Sequence, residues 1–495
     1  MSHVLWAFAA IALSHIGMKP VLGNQAQSTD NIVFSACEIE SPTTHVAVAA
    51  ECANTVLPLD PADPDGDVIE LSLARLSAYS NQTSADALAF IAGGPGQSAI
   101  ESYPGVQTAF DKIREHRDIY LIDQRGTGKS SPLLCPEAVS SGAVLEFDAA
   151  AVKASASECR ESLSLDPEFF TTSIAVQDLD SIRQRLGIDQ WNLYGVSYGT
   201  RVALHYLRRF PDQVRTLILD AVVPPDVALG ATLALDAERA FDLMLKRCKA
   251  DTACDARFPA LGEKTRELIA SLRESPVSVT FENFQTGRLD SIEFTANHLT
   301  LTMRMMTYVS YGTSLLPTML HDAYANQNFA PLARQARQQS RSLESTIATG
   351  MHHAVVCTED QPWINFSEQE INTLAATYLG RDPINALMAM CHSWSPGVID
   401  ADFKEPVQSD KPVLLLSGEA DPITPPAFAE QVAAHLPNSL HIVNPGQGHA
   451  QAWLGCTPSI MARFVTTANV DDVDFGCLER QQPPPFFIDA NGPTP

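Results

Sequence analysis

Gly195-Val196-Ser197-Tyr198-Gly199 is the stretch best suited to chemistry. It sits between an apolar run, Trp191 to Tyr194, and a helix-like stretch, Tyr198 to Phe210. A serine on so sharp a strand-to-helix turn has its hydroxyl lifted clear of the sheet, and the flanking glycines relieve crowding around it. The next N–H, that of Tyr198, then lies at a helix N-terminus, where it can stabilise an oxyanion. A serine hydroxyl attacks poorly without a base, so a histidine and a carboxylate must lie elsewhere. The run Val413 to Leu416 leads into Ser417-Gly418-Glu419-Ala420-Asp421-Pro422, where Glu419 and Asp421 compete as the acid. Asp421, set before a Pro-rich turn, is the better placed. Leu440 to Val443 leads into Asn444-Pro445-Gly446-Gln447-Gly448-His449. There His449 can swing over a sheet, whereas His435 lies in a helical pattern and His441 within a strand. Leu88 to Ala92 delivers Gly93-Gly94-Pro95-Gly96, whose glycines allow close backbone approach, with the Gly94 N–H as a second oxyanion donor.

The elements that must position these groups are legible as short apolar runs ending in Gly, Asp or Pro. Ile119 to Ile122 and Thr216 to Leu219 join those already named. Such runs suit strands buried on both faces of a parallel sheet. Ser173 to Leu186 gathers Ile174, Leu179, Ile182 and Leu186 largely on one helical face, with Gly187 as a C-cap. Strands alternating with helices predict an α/β fold with a doubly wound, mostly parallel sheet. Thr44 to Ala50 and Val68 to Ala78 alternate better and suit an antiparallel edge pair. Residues 30–224 are expected to form the first part of the core and 406–480 the second. Residues 225–405, with helix-length apolar runs, read as an inserted, mainly helical cap, and 481–495 as an extended or disordered Pro-rich tail.

Composition narrows the partners. The 495 residues hold 33 basic against 58 acidic side chains, a net charge of −25, which argues against nucleic acid. Residues 1–26, with an apolar stretch from Val4 to Ile16, resemble a cleaved secretory signal, and no later stretch suggests stable membrane insertion. Ten cysteines without a C-x-x-C pair fit an oxidising, extracytoplasmic compartment, periplasmic or secreted, and their spacing allows five neighbour-to-neighbour bridges. Nothing calls for a cofactor or a metal; the adjacent His352 and His353 would point apart on a helix. Gly126-Thr127-Gly128-Lys129-Ser130 mimics the end of a phosphate-binding loop, but Asp123 stands where the first glycine is required.

Taken together, five stretches resemble the proline iminopeptidase and tripeptidyl aminopeptidase group of α/β-hydrolases. They are Gly93 to Gly96, Asp123 to Ser130, Gly195 to Thr200, Gly418 to Pro425 and Gly448-His449. Ala92 departs from the histidine usual before the paired glycines. The resemblance implies a serine peptidase releasing proline or short peptides from a substrate with a free N-terminus, through Ser197, His449 and Asp421. It also implies an anion in the cap for the substrate ammonium. Val355 to Asp360 resembles the cap segment concerned, which makes Glu359 the first candidate and Asp360 the second. The same scaffold hosts esterases and lipases acting on small esters.

Overall fold

A computed structural model describes residues 32–136, 148–283, 286–489 and 491–493; the leader-like segment 1–26 lies outside them. Nine strands form one sheet: β1 (Ser35–Glu40), β2 (Ala47–Pro58), β3 (Val68–Leu76), β4 (Ala87–Ile91), β5 (Ile119–Ile122), β6 (Trp191–Val196), β7 (Val214–Asp220), β10 (Val413–Gly418) and β11 (Ser439–Asn444). β8 (Val277–Asn283) and β9 (Arg288–Phe294) form a separate antiparallel hairpin. The large sheet runs in the order β1-β2-β3-β5-β4-β6-β7-β10-β11. Its first three pairings are antiparallel and the rest parallel.

The apolar runs form central strands because successive side chains enter two different cores. Leu193, Leu217, Leu219, Val413 and Leu415 face one side, with the helices Thr172–Leu186 and Tyr198–Arg209. Tyr194, Ile218, Leu414 and Leu416 face the other, with the helix Thr457–Thr467. The run Thr44 to Ala50, expected to pair with Val68 to Ala78, instead opens β2 and pairs with β1; the following residues of β2, Glu51 to Pro58, pair with β3. The additional edge strand β1 buries only Ile39 and Cys37 even partly, so it shows little alternation.

A third core fills the insertion. It joins the helices Leu233–Ala250, Leu261–Glu274, Ala296–Thr307, Ser310–Asn326 and Ala330–Thr346 with the β8–β9 hairpin. The later part of the insertion behaves differently: Met351, Val355, Val356, Met390 and Trp394 pack in the same core as the sheet. The described part of the tail is held against the insertion. Phe486 is buried in the insertion's core beneath Arg247, and the Phe487 N–H donates to the Ser314 carbonyl at 3.1 Å. All ten cysteines pair with their chain neighbours: Cys37–Cys52, Cys135–Cys159, Cys248–Cys254, Cys357–Cys391 and Cys456–Cys477. Among the described residues, no helix is long and apolar enough to cross a membrane.

Candidate active site

Register brings the candidate residues to one edge. Ile91 pairs with Gly195, Val196 with Asp220, and Gly418 with Asn444, so the carboxyl ends of β4, β6, β7, β10 and β11 lie side by side. The loops that follow carry Gly94, Ser197, Asp421 and His449. Ser197 takes φ 56°, ψ −127°, a conformation that L side chains rarely adopt and that costs on the order of 1–3 kcal/mol. The elbow closes because its glycines lack Cβ atoms. One added at Gly195 would meet the Gly199 carbonyl at 2.4 Å, and one at Gly199 would meet the Ala92 carbonyl at 2.5 Å. A Cβ on Gly93 would stand 3.1 Å from that of Ser197, so the Gly93-Gly94 loop passes directly over the serine.

On the neighbouring loops, His449 Nδ1 lies 2.8 Å from Asp421 Oδ2. Asp421 is fully buried, and its oxygens are saturated. Oδ1 accepts the N–H groups of Ile423 and Thr424, both at 2.9 Å, and Oδ2 also accepts the Thr424 hydroxyl at 2.7 Å. Burial alone would push this carboxyl up, but the His449 ring and the Thr424 donors outweigh it and hold the carboxyl below its usual range. The His449 N–H donates to the Tyr308 carbonyl at 2.7 Å, and the two rings meet edge to face, so the insertion braces the imidazole. No hydrogen bond joins Ser197 to His449; the ring's bonds run to Asp421 and Thr424. Glu419, the rival acid, instead accepts the Gly446 N–H, and His441 bonds Ser417.

The structure places Glu359 and Asp360 in one buried polar network. Both are fully buried beside the helix that follows the elbow and face no open cleft. Glu359 accepts the Thr172 N–H at 2.7 Å and its hydroxyl at 2.9 Å. Asp360 Oδ1 accepts Arg201 Nη1 at 2.9 Å and the Leu229 N–H at 2.8 Å. The chain's own Arg201, four residues after Ser197, is a cation that these carboxylates meet, while Asp360 Oδ2 has no hydrogen-bond partner among the described residues. Tyr198 joins this network: its hydroxyl lies 2.6 Å from Thr172 Oγ1 and accepts Gln124 Nε2 at 3.0 Å, which fixes the first residue of the helix.

Four further residues gather here. Thr424 is one, and its Asp-x-x-Thr spacing is a turn signature visible in the sequence. Arg239 of the insertion donates to the carbonyls of Glu419 and Asp421, both at 2.7 Å. Asp236, one turn earlier on that helix, is buried with Oδ2 unpartnered among the described residues; burial pushes it up to about 6, and it senses Asp421. Asp220, ending β7, receives the histidine loop. His353 packs against Trp394, and its neighbours Cys135 and Cys159 are joined as a disulfide, so they are not thiolate ligands. Asp123, in the mimic of a phosphate loop, accepts the Ser98 hydroxyl at 2.7 Å and the Ile100 N–H at 3.0 Å, filling the turn from within.

A family model described as alpha/beta hydrolase fold matches residues 86–455. The chain belongs to the α/β-hydrolase fold family. It is 30% identical over 245 residues to the serine protease Hip1 of Mycobacterium tuberculosis, covering 45% of this chain and 46% of that one. It is 32% identical over 194 residues to a tripeptidyl aminopeptidase of Streptomyces coelicolor, covering 35% of each. The chain thus spans less than half the length of these curated relatives. Among solved structures, the proline iminopeptidase of Mycobacterium smegmatis aligns with 84% of this chain and 99% of that one, at 15% identity and a TM-score of 0.41. The chain is an α/β-hydrolase with serine-peptidase relatives.

Proposed function

We propose that the chain is an exported serine aminopeptidase in which Ser197 is the nucleophile, His449 the base and Asp421 the acid. The observation that carries this reading is the pair of His449 with the buried Asp421 at 2.8 Å, on loops that follow the same sheet edge as the strained Ser197. Asp421 holds the Nδ1–H tautomer, which leaves Nε2 to take the serine proton as Oγ adds to the substrate carbonyl. The N–H groups of Gly94 and Tyr198 hold the oxyanion, the leaving amine takes the proton from His449, and water then frees the acyl group. Five disulfides support export to an oxidising compartment. The names of the relatives support a peptide substrate read from its N-terminus. Glu359 and Asp360 are the cap carboxylates first proposed to meet the ammonium, and Asp236, whose Oδ2 like Asp360 Oδ2 has no partner among the described residues, is proposed beside them.

An esterase is the second reading, favoured by the internal engagement of Glu359 and Asp360. Prolyl, alanyl and tripeptidyl aminoacyl-coumarins, assayed beside short p-nitrophenyl esters, separate the two. Release of coumarin from free but not N-acetylated substrates is expected. Ester turnover without any peptidase activity would sink the aminopeptidase reading. Failure of a fluorophosphonate to label Ser197 would sink the enzyme itself.

A further inference from the structure

Asp220 is fully buried, forms no ion pair among the described residues and lies between the two halves of the candidate machinery. Its backbone carbonyl accepts the N–H of Ser197 at 2.9 Å. Its carboxylate accepts the Gln451 N–H through both oxygens, at 2.8 and 2.9 Å, and the Ala452 N–H at 2.9 Å. The Tyr194 hydroxyl completes the set at 2.8 Å. Gln451 follows His449 by two residues and ties its own loop shut. Its amide donates to the Gly448 carbonyl at 2.8 Å and accepts Asn444 Nδ2 at 3.0 Å. One residue therefore fixes the elbow through its main chain and the histidine loop through its side chain.

We propose that Asp220 is a positioning residue that holds Ser197 and His449 in register, and that its carboxylate must be ionised to do so. The inference rests on the proposed roles of Ser197 and His449. The donors decide the chemistry: two are main-chain N–H groups that cannot be turned into acceptors, and a carboxylate, which only accepts and whose charge strengthens each bond, suits them best. An uncharged acid would carry its proton on one of the oxygens that now accept, where only the Tyr194 hydroxyl can turn to receive it, and its hold on the two loop N–H groups would weaken. Tyr194 from β6 and His449 from the loop after β11 are the titratable groups that face it. Burial pushes the Asp220 carboxyl up to about 6, against the pull of the Gln451, Tyr194 and Ala452 donors and of His449. Loss of its charge on mild acidification would free the histidine loop while β7 stays paired.

Asp220→Asn in the full chain tests this. The amide keeps the shape but turns an NH₂ toward the loop donors. The expected result is a folded protein whose kcat and fluorophosphonate labelling rate fall together by roughly 10²-fold, with KM near that of the unaltered chain, since a misplacement of about 1 Å is that costly. The acid limb of kcat/KM should also become shallower, because one titrating group has gone; a merely structural defect would leave its slope unchanged. If Asp220→Asn does not fold, Tyr194→Phe decides, because it removes one donor while keeping the charge. The acid limb should then move to higher pH. A folded Asp220→Asn with unaltered rates and slope, or a Tyr194→Phe with an unmoved limb, would overturn the proposal. Those outcomes leave Ser197-dependent turnover intact. Turnover that survives Ser197→Ala instead overturns the reading of the site itself.

Discussion

Asp421→Asn is the substitution whose effect follows most directly from the geometry. Oδ1 of Asp421 faces two backbone N–H groups, while Oδ2 faces His449 Nδ1 and the Thr424 hydroxyl. An asparagine has one acceptor oxygen to place. Set toward His449, it would leave its NH₂ against the N–H groups of Ile423 and Thr424, at about 1–3 kcal/mol for each unsatisfied buried group. The amide oxygen therefore stays with the backbone, and the NH₂ turns to the imidazole. His449 must then accept at Nδ1 and carry its proton on Nε2, the tautomer unable to take a proton from Ser197. Trapping the wrong tautomer in a serine triad lowers kcat on the order of 10⁴-fold, which at ~1.4 kcal/mol per tenfold is about 5–6 kcal/mol of barrier. Fold and KM should change little, because shape and backbone bonds are kept. Steady-state rates on an aminoacyl-coumarin and an ester, with circular dichroism as a folding control, measure this. A folded Asp421→Asn protein within tenfold of the unaltered rate would refute the acid assignment.

Three more outcomes are expected. Thr424→Val removes the hydroxyl donor to Asp421 while keeping the backbone bond; a hydrogen bond to a charged group is worth about 1.5–3 kcal/mol, so kcat should fall at least tenfold. Asp236→Asn should separate stability from function. The folded chain keeps the Asp236 proton up to about pH 6 and the unfolded chain only to about the ordinary aspartate value of 3.8, so ionisation disfavours the fold as pH rises between them. The variant should therefore gain on the unaltered chain by up to about 3 kcal/mol between pH 4 and pH 8 in urea titrations. In the aminopeptidase reading it also loses its preference for free N-termini. A stability gain that does not grow with pH would count against the burial argument. Replacing Cys357 and Cys391 together by alanine opens a loop of 34 residues and should lower stability by about 3–4 kcal/mol, seen as an earlier urea midpoint.

Much of this site was legible because local chemistry dictated it. The elbow glycines, the apolar strands and the loops bearing Asp421 and His449 each announce themselves within ten residues. The β8–β9 hairpin did not, because β9, Arg-Leu-Asp-Ser-Ile-Glu-Phe, buries little besides Phe294 and carries a weak alternation. Glu359 and Asp360 were visible as carboxylates, but their partner Arg201 lies more than 150 residues earlier in the chain, and no spacing rule reveals such a pairing. Asp220 looked like an ordinary strand terminus. Only the folded return of the histidine loop gives its carboxylate a purpose.

The insertion's divided loyalty has a practical consequence for exchanging substrate preference between related enzymes. The segment from Ala348 to Val407 supplies side chains to the same core as the sheet, and the helix Thr349–Glu359 has nearly every residue buried. A graft cut at residues 225 and 405 would strip one wall from the hydrolase and leave Arg201 without its acidic partner. A seam from about Gly230 to Ile347 takes most of the insertion's separate core, but Leu374, Tyr378, Leu379 and Ile384 belong to that core too and must be carried along with Phe486. Recombination at that seam exchanges a lid; recombination at the wider one dismantles the barrel of the lock.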